Sequence, residues 1–430
     1  MKITPAWRIC ILGVILCVAL TICSRNFDDR GGPRFMASLM IAGGAYLLAI
    51  RELLRERSAP REFPWRVVAF GLLLAAFWHI QFLRLAPGPD DDIHRYVWDG
   101  RVQRLGFNPY VVVPNDPAFE KFQTAETRTL NHPDLPSPYP PGAQIFFRAV
   151  TSVRETVFAM KAAFVVCDLL IVLLLLDLLR RNQLGSHLVL AFAWNPLLAI
   201  EVSGSGHIDI VGGLFLLASY IALSRRWRAV SALALGFAIA VKFLPIVLLP
   251  LYWKRIRVRD AALVGITVGI LYLPFLIHGH IPIGSLRTYV QSFRFNDPVF
   301  AAVEQIIAPR MAAGFVVLIG FLIAVWMRCK SEELTTGSFA WPMAASLLCA
   351  PVVYPWYLLW LIPFTLSVST LPIAIWTIAI IPTYYVWHLR LLGRPWILPG
   401  WIMLLEYGSV ALTAAVIVWR RAARHARARD

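Results

Sequence analysis

Three consecutive carboxylates, Asp90, Asp91 and Asp92, follow directly on an apolar segment that ends near Leu85. A membrane span meets water at such a place. Clustered charge is costly there, because like charges repel and the low dielectric alongside penalises ionisation. An acidic triplet can simply stop a helix in a solvated loop. Its neighbours point to chemistry instead: Tyr96, Trp98, Asp99 and Arg101 follow, and Gly106 with Asn108-Pro109-Tyr110 closes the stretch with a turn. A carboxylate at such a rim suits proton abstraction from an alcohol, with its neighbours orienting the alcohol or raising the base's pKa.

Further polar groups stand at the ends of apolar runs. Gly204-Ser205-Gly206-His207-Ile208-Asp209 reads as a short outer turn, in which His207 and Asp209 either bind sugar or phosphate or form a hydrogen-bonded turn pair. Glu201 is an acid inside a span and so a functional candidate. Lys242 either pairs with a lipid phosphate or neutralises a carboxylate within the bundle. The loop 278–311 carries His278, His280, Arg287, Tyr289, Arg294, Asn296 and Asp297. Arg287, Arg294 and the two histidines are candidates for a phosphate group, since the guanidinium fork matches its geometry. Tyr354-Pro355-Trp356-Tyr357, with Trp360, opens a later span either as part of the interfacial aromatic belt or as rings that stack on sugar or isoprenoid.

The elements that must position these groups are set by composition. With 58% hydrophobic and 15% charged residues, and mean hydropathy +0.64, the chain is an all-α, polytopic integral membrane protein. Cys10, Cys17, Cys23, Cys167, Cys329 and Cys349 lie in or beside apolar runs as packing residues. The run from Ile9 to Cys23 lacks a small-residue cleavage site and reads as the first span. The net charge of +16 does not indicate nucleic acid, because the basic residues concentrate between spans. They cluster at Arg51 to Arg66, Arg180-Arg181, Arg225 to Arg228, Lys254 to Arg259, Arg328 to Lys330 and the tail 420–430. By the positive-inside rule these stretches and both termini are cytoplasmic.

Spans follow near 9–24, 35–50, 67–84, 157–178, 187–203, 208–223, 261–277, 312–327, 338–351, 355–369, 371–388 and 401–419, with Asn195-Pro196 marking a kink. The segment 229–253 has basic clusters at both ends, so it is expected to be a re-entrant hairpin of two short helices broken at Lys242-Phe243-Leu244-Pro245. The expectation is a bundle of about twelve crossings in one domain, 1–430. A large first outer loop, 85–155, and a second, 278–311, then face outward together. The first loop continues through Asn131-His132-Pro133 to Ser137-Pro138-Tyr139-Pro140-Pro141-Gly142 and an amphipathic interfacial stretch, 143–154.

On these residues the chain resembles the GT-C glycosyltransferases, above all bacterial polyprenol-phosphate-sugar-dependent mannosyltransferases of the DUF2029 (family 87) kind. It is more distantly similar to the GPI mannosyltransferase I catalytic subunit. That family's loop carries D-x-D or D-D, then an aromatic, then G-x-(S/N/D)-P-Y. Here Asp90 and Asp92 have the D-x-D spacing, Asp91 and Asp92 the D-D spacing, Tyr96 stands four residues after the last Asp, and Gly106 to Tyr110 close the motif. Which acid plays which role stays open. The resemblance extends to the Tyr-Pro-Pro element at Tyr139, which shapes the cavity in that family, and to the P-W-Y element at Trp356.

The resemblance implies a membrane glycosyltransferase of the cell envelope, set in the inner membrane with its active site on the outer, periplasmic side. The chain has no P-loop, no G-x-G-x-x-G and no soluble α/β domain to hold a nucleotide, so a sugar donor must arrive by membrane. The resemblance implies a polyprenyl-phosphate carrier of a hexose, mannose, and a lipid-linked or glycan acceptor. Asp92, by its spacing to Tyr96, is the expected base of an inverting single displacement, with Asp90 and Asp91 beside it. A phosphate leaves without protonation, so no second acid is required. Asp90 and Asp92 have a spacing that can hold a divalent cation, although a monophosphate donor weakens that case. Two rival classes remain: a transporter or flippase of a lipid-linked sugar, and an O-antigen ligase- or polymerase-like enzyme.

Overall fold

A computed structural model of the chain describes residues 4–55, 63–88, 91–276 and 282–427, apart from the side chains of 421 and 424–427. Among the described residues the fold is helical, with no strand and one isolated parallel bridge, Phe295 to Val352. Eight helices are long and apolar enough to cross a membrane: Pro5–Ser24, Pro33–Arg55, Trp65–Leu83, Val157–Arg181, Val258–Phe275, Pro309–Lys330, Val368–Leu391 and Gly400–Arg420. The number becomes nine if Ser186–Ala193 and Leu198–Gly204, which flank Asn195-Pro196, form one broken span. Asp209–Ser224, Arg228–Val241 and Pro355–Phe364 are apolar but shorter.

Two compact units emerge from the chain's own contacts. The first is Met1–Trp78, Leu179–Leu197 and Leu361–Asp430. Inside it Asn195 is a buried polar joint, its amide donating to Tyr46 Oη at 3.1 Å and Thr377 Oγ1 at 2.8 Å. Tyr46 in turn donates to Ala191 O at 2.8 Å, which satisfies one carbonyl near the break at Pro196.

The second unit, His79–Leu178 and Leu198–Trp360, holds the acidic loop. The stretch expected as open loop contains the helix Asp92–Arg104, whose aromatic side packs on the helix Pro141–Val153. Tyr96 stacks on Phe147 at 4.5 Å, and a Cβ at Gly100 would stand 2.5 Å from Thr151 Oγ1, so glycine lets the two helices close. The intervening chain folds back on the same helix, with Val112 and Leu130 joining Trp98 and Val102 in one buried cluster. Lys161, inside the span Val157–Arg181, donates to Phe82 O at 3.1 Å and Leu85 O at 2.7 Å and so caps the helix that leads into the acidic residues.

The segment 229–253 breaks where expected. The helix Arg228–Val241 ends at Lys242, in extended backbone (φ −152°, ψ 148°), and a 3-10 stretch Leu244–Tyr252 follows, with Pro245 in its first turn.

Candidate active site

The acids at the head of the helix Asp92–Arg104 are built into different surroundings. Asp91 caps the helix and its Oδ2 accepts the Gly88 amide at 2.7 Å, so it fastens the loop before it. Asp92 Oδ1 accepts from the Asn131 amide at 2.5 Å, and 18% of the Asp92 side chain stays exposed. It is shielded yet reachable. Asn131 is placed by Arg95, whose guanidinium donates to the carbonyls of Asn131, His132 and Leu135 at 3.3, 2.7 and 2.9 Å. Asp90 lies outside the described residues.

A second wall comes from the π-helical turn Leu198–Gly204. It is extended by Ser205 N to Ile200 O at 2.7 Å and His207 N to Glu201 O at 2.8 Å. Gly206 has φ +80°, and a Cβ there would sit 2.4 Å from Ile93 Cδ1, so both the conformation and the close approach to the helix Asp92–Arg104 require glycine. His207 then has Nδ1 3.8 Å from Asp92 Oδ2 and Nε2 3.1 Å from Glu201 Oε2. Its ring stacks on Trp356 at 4.1 Å, Trp356 on Tyr354 at 4.3 Å, and Tyr354 on Phe295 at 4.4 Å. The column of rings fixes the imidazole plane.

Lys242 supplies the cation. Its Nζ donates to both oxygens of Asp209 at 2.8 Å and lies 4.4 Å over the Tyr357 ring. Trp360 Nε1 donates to Asp209 Oδ1 at 2.7 Å, so a fully buried carboxylate is satisfied. The Tyr357 hydroxyl is hydrogen-bonded to that of Tyr289.

Burial pushes the Asp92 carboxyl above the ordinary carboxylate value of 3.8. The Lys242 charge and hydrogen bonds from Asn131 and Tyr139 oppose that shift, and Asp91 adds to it. A carboxylate poised this way is a stronger base than an exposed one. Burial also pushes the Tyr139 and Tyr96 hydroxyls well above 10, so both remain donors.

The structure thus brings together Asp91, Asp92, Tyr96, Tyr139, His207, Asp209, Lys242, Tyr354, Trp356 and Tyr357. Lys242 is paired with the bundle carboxylate Asp209, and 21% of its side chain stays exposed. The other residues singled out above have their own partners or stand apart. Asp99 is buried against Ser137 and Gln144. Arg101 pairs with Glu155 and donates to Phe122 O at 2.6 Å. Arg294 grips Glu304 at 2.7 and 2.9 Å. Asn108 accepts the Tyr110 amide at 3.0 Å in a side-chain turn, and Tyr110 donates to Tyr139 O at 2.8 Å. Arg287 is exposed on the helix Leu286–Ser292. His278 and His280 lie outside the described residues. Asn131, Arg95 and Lys161 were not singled out from sequence; Asn131 showed only a turn signal, and Lys161 only an isolated charge in an apolar run. Among the described residues no group of three or more His, Cys, Asp or Glu is arranged to hold a metal ion.

No curated protein and no solved structure matches the chain. A family model does: residues 21–256, more than half of the chain, match the MptA_B family, described as alpha-(1->6)-mannopyranosyltransferase, N-terminal domain. The matched region includes Asp91, Asp92, the turn at 198–209 and Lys242. At the level of a mannosyltransferase family it agrees with what the acidic loop implied. The chain belongs to the alpha-(1->6)-mannopyranosyltransferase family.

Proposed function

We propose that the protein moves mannose from a polyprenyl-phosphate donor to a hydroxyl of a lipid-linked or glycan acceptor on the outer face of the membrane, by inverting displacement with Asp92 as base. The acceptor oxygen attacks the anomeric carbon, its proton passes to Asp92, and the phosphate departs with the bonding electron pair. General-base assistance of this kind contributes about 100- to 10,000-fold. The observation that carries the reading is the Asp92 carboxylate itself: half-enclosed, 18% exposed, and beside a lysine, tyrosine donors and a histidine. Lys242, with 21% of its side chain exposed, is assigned to the charge that develops on the leaving phosphate. Asp91 holds the loop.

The GT-C and family 87 assignment rests on the loop motif. A bundle of about twelve crossings with cytoplasmic termini is supported by the long helices and the basic clusters between them, with the short apolar helices completing it. The test is purified protein in lipid, offered a panel of radiolabelled polyprenyl-phosphate sugars and extracted membrane acceptors. A new glycosidic bond from the mannose donor is the expected result. Movement of label across the bilayer with no new bond would establish the transporter class instead.

A further inference from the structure

Asp92 does not stand alone. His207 lies between it and Glu201, one ring nitrogen toward each carboxylate, at 3.8 and 3.1 Å. Glu201 is 1% exposed and the His207 side chain 3%, so the far end of this array is sealed while the near end opens at Asp92. Four separate features hold the ring there: the π-helical turn, the left-handed Gly206, the His207 amide on Glu201 O, and the stack on Trp356. A histidine that only satisfied the core would need none of this registration against an acid of another element. A buried acid in an apolar turn is costly unless paired, and Glu201 faces the imidazole.

We infer that Glu201 and His207 are positioning residues that act through Asp92: Glu201 fixes the imidazole with Nδ1 toward the Asp92 carboxylate, and His207 takes over the proton that Asp92 removes from the acceptor. This rests on Asp92 being the base. The acceptor O–H bond breaks as the oxygen–anomeric carbon bond forms, and the electron pair of the carbon–phosphate oxygen bond leaves with the phosphate. The proton moves from the acceptor oxygen to Asp92 and on to His207 Nδ1, where the Glu201 carboxylate balances the imidazolium. Asp92 is then ionised again in the same site. The other charged or titratable groups around Asp92 include Asp91, Lys242 with Asp209, and the tyrosines Tyr96, Tyr139, Tyr289 and Tyr354. Lys242 and Asp209 are joined to each other.

The inference is tested by single-turnover transfer with and without the Glu201 charge. Glu201→Gln keeps the size but removes the charge; it is expected to slow transfer about 10- to 100-fold and to leave the donor KM within about 2-fold. Glu201→Asp keeps the charge and is expected to stay within about 5-fold of the wild-type rate. His207→Gln is expected to slow transfer as Glu201→Gln does. A Glu201→Gln enzyme at wild-type rate, or a Glu201→Asp enzyme as slow as Glu201→Gln, overturns the relay while leaving Asp92 as base. Retained transfer by Asp92→Asn removes the base itself, which is a different result.

Discussion

Asp92 and Asp99 lie on one helix, two turns apart, and burial pushes both carboxyls upward. Their surroundings separate them. Asp99 is 1% exposed, with Ser137 and the Gln144 amide on one oxygen and the other buried without a hydrogen bond, so it is closed to solvent and joins the helix Asp92–Arg104 to the Tyr-Pro-Pro segment. Asp92 is partly open, with Asn131 on one oxygen and the imidazole of His207 beyond the other. A raised pKa is therefore not by itself a mark of catalysis; an open side and a path for a proton are also required.

The comparison is sharpest under substitution. Asp92→Asn is expected to lower transfer by about 100- to 10,000-fold with little change in melting temperature, as read by parallel transfer assays and thermal unfolding in detergent. Lys242→Met removes the partner of a buried Asp209 and is expected to cost roughly 2–3 kcal/mol, below the figure for a fully buried pair because 21% of the lysine side chain is exposed. It also removes the charge that holds the Asp92 carboxyl down, so the acid limb of the transfer rate moves to higher pH.

Asp99→Asn should leave transfer near the wild-type rate and change stability instead. The carboxyl is pushed up by burial to about 6 from an ordinary 3.8, against the pull of Arg95, Ser137 and Gln144. A group whose folded value is raised contributes its full stability below the unfolded value and loses it as the pH rises through the folded one. The wild type is thus expected to lose up to about 3 kcal/mol between pH 4 and 7 from this residue, and the asparagine variant to lack that slope. Thermal unfolding across that pH range reads it. Smallest is Arg101→Gln, which breaks the pair with Glu155; under about 1 kcal/mol and no loss of transfer are expected.

How much of this could be read from the sequence follows the range of each signal. The class, the long helices and the break at Lys242-Phe243 come from local hydropathy and proline, which act over a few residues. The acidic corner was visible because its residues are contiguous. Asp92 and Asp99 look alike in sequence, since what separates them is Ser137, Gln144 and Asn131, all about forty residues away. Lys242 could not be assigned to Asp209 across 33 positions, nor Arg101 to Glu155 across 54. The guanidinium groups that composition offers to a phosphate are, at Arg101 and Arg294, tied to glutamates. The helix Asp92–Arg104 was hidden because its polar residues face the loop folded over it, which erases the amphipathic pattern.

The central claim is most directly tested by the pH dependence of single-turnover transfer at saturating donor. An Asp92 base predicts a rate that falls tenfold per unit below a midpoint above 3.8, the ordinary carboxylate value, and a midpoint that rises further in Lys242→Met. A rate that stays flat down to pH 4, or a midpoint indifferent to Lys242, contradicts it.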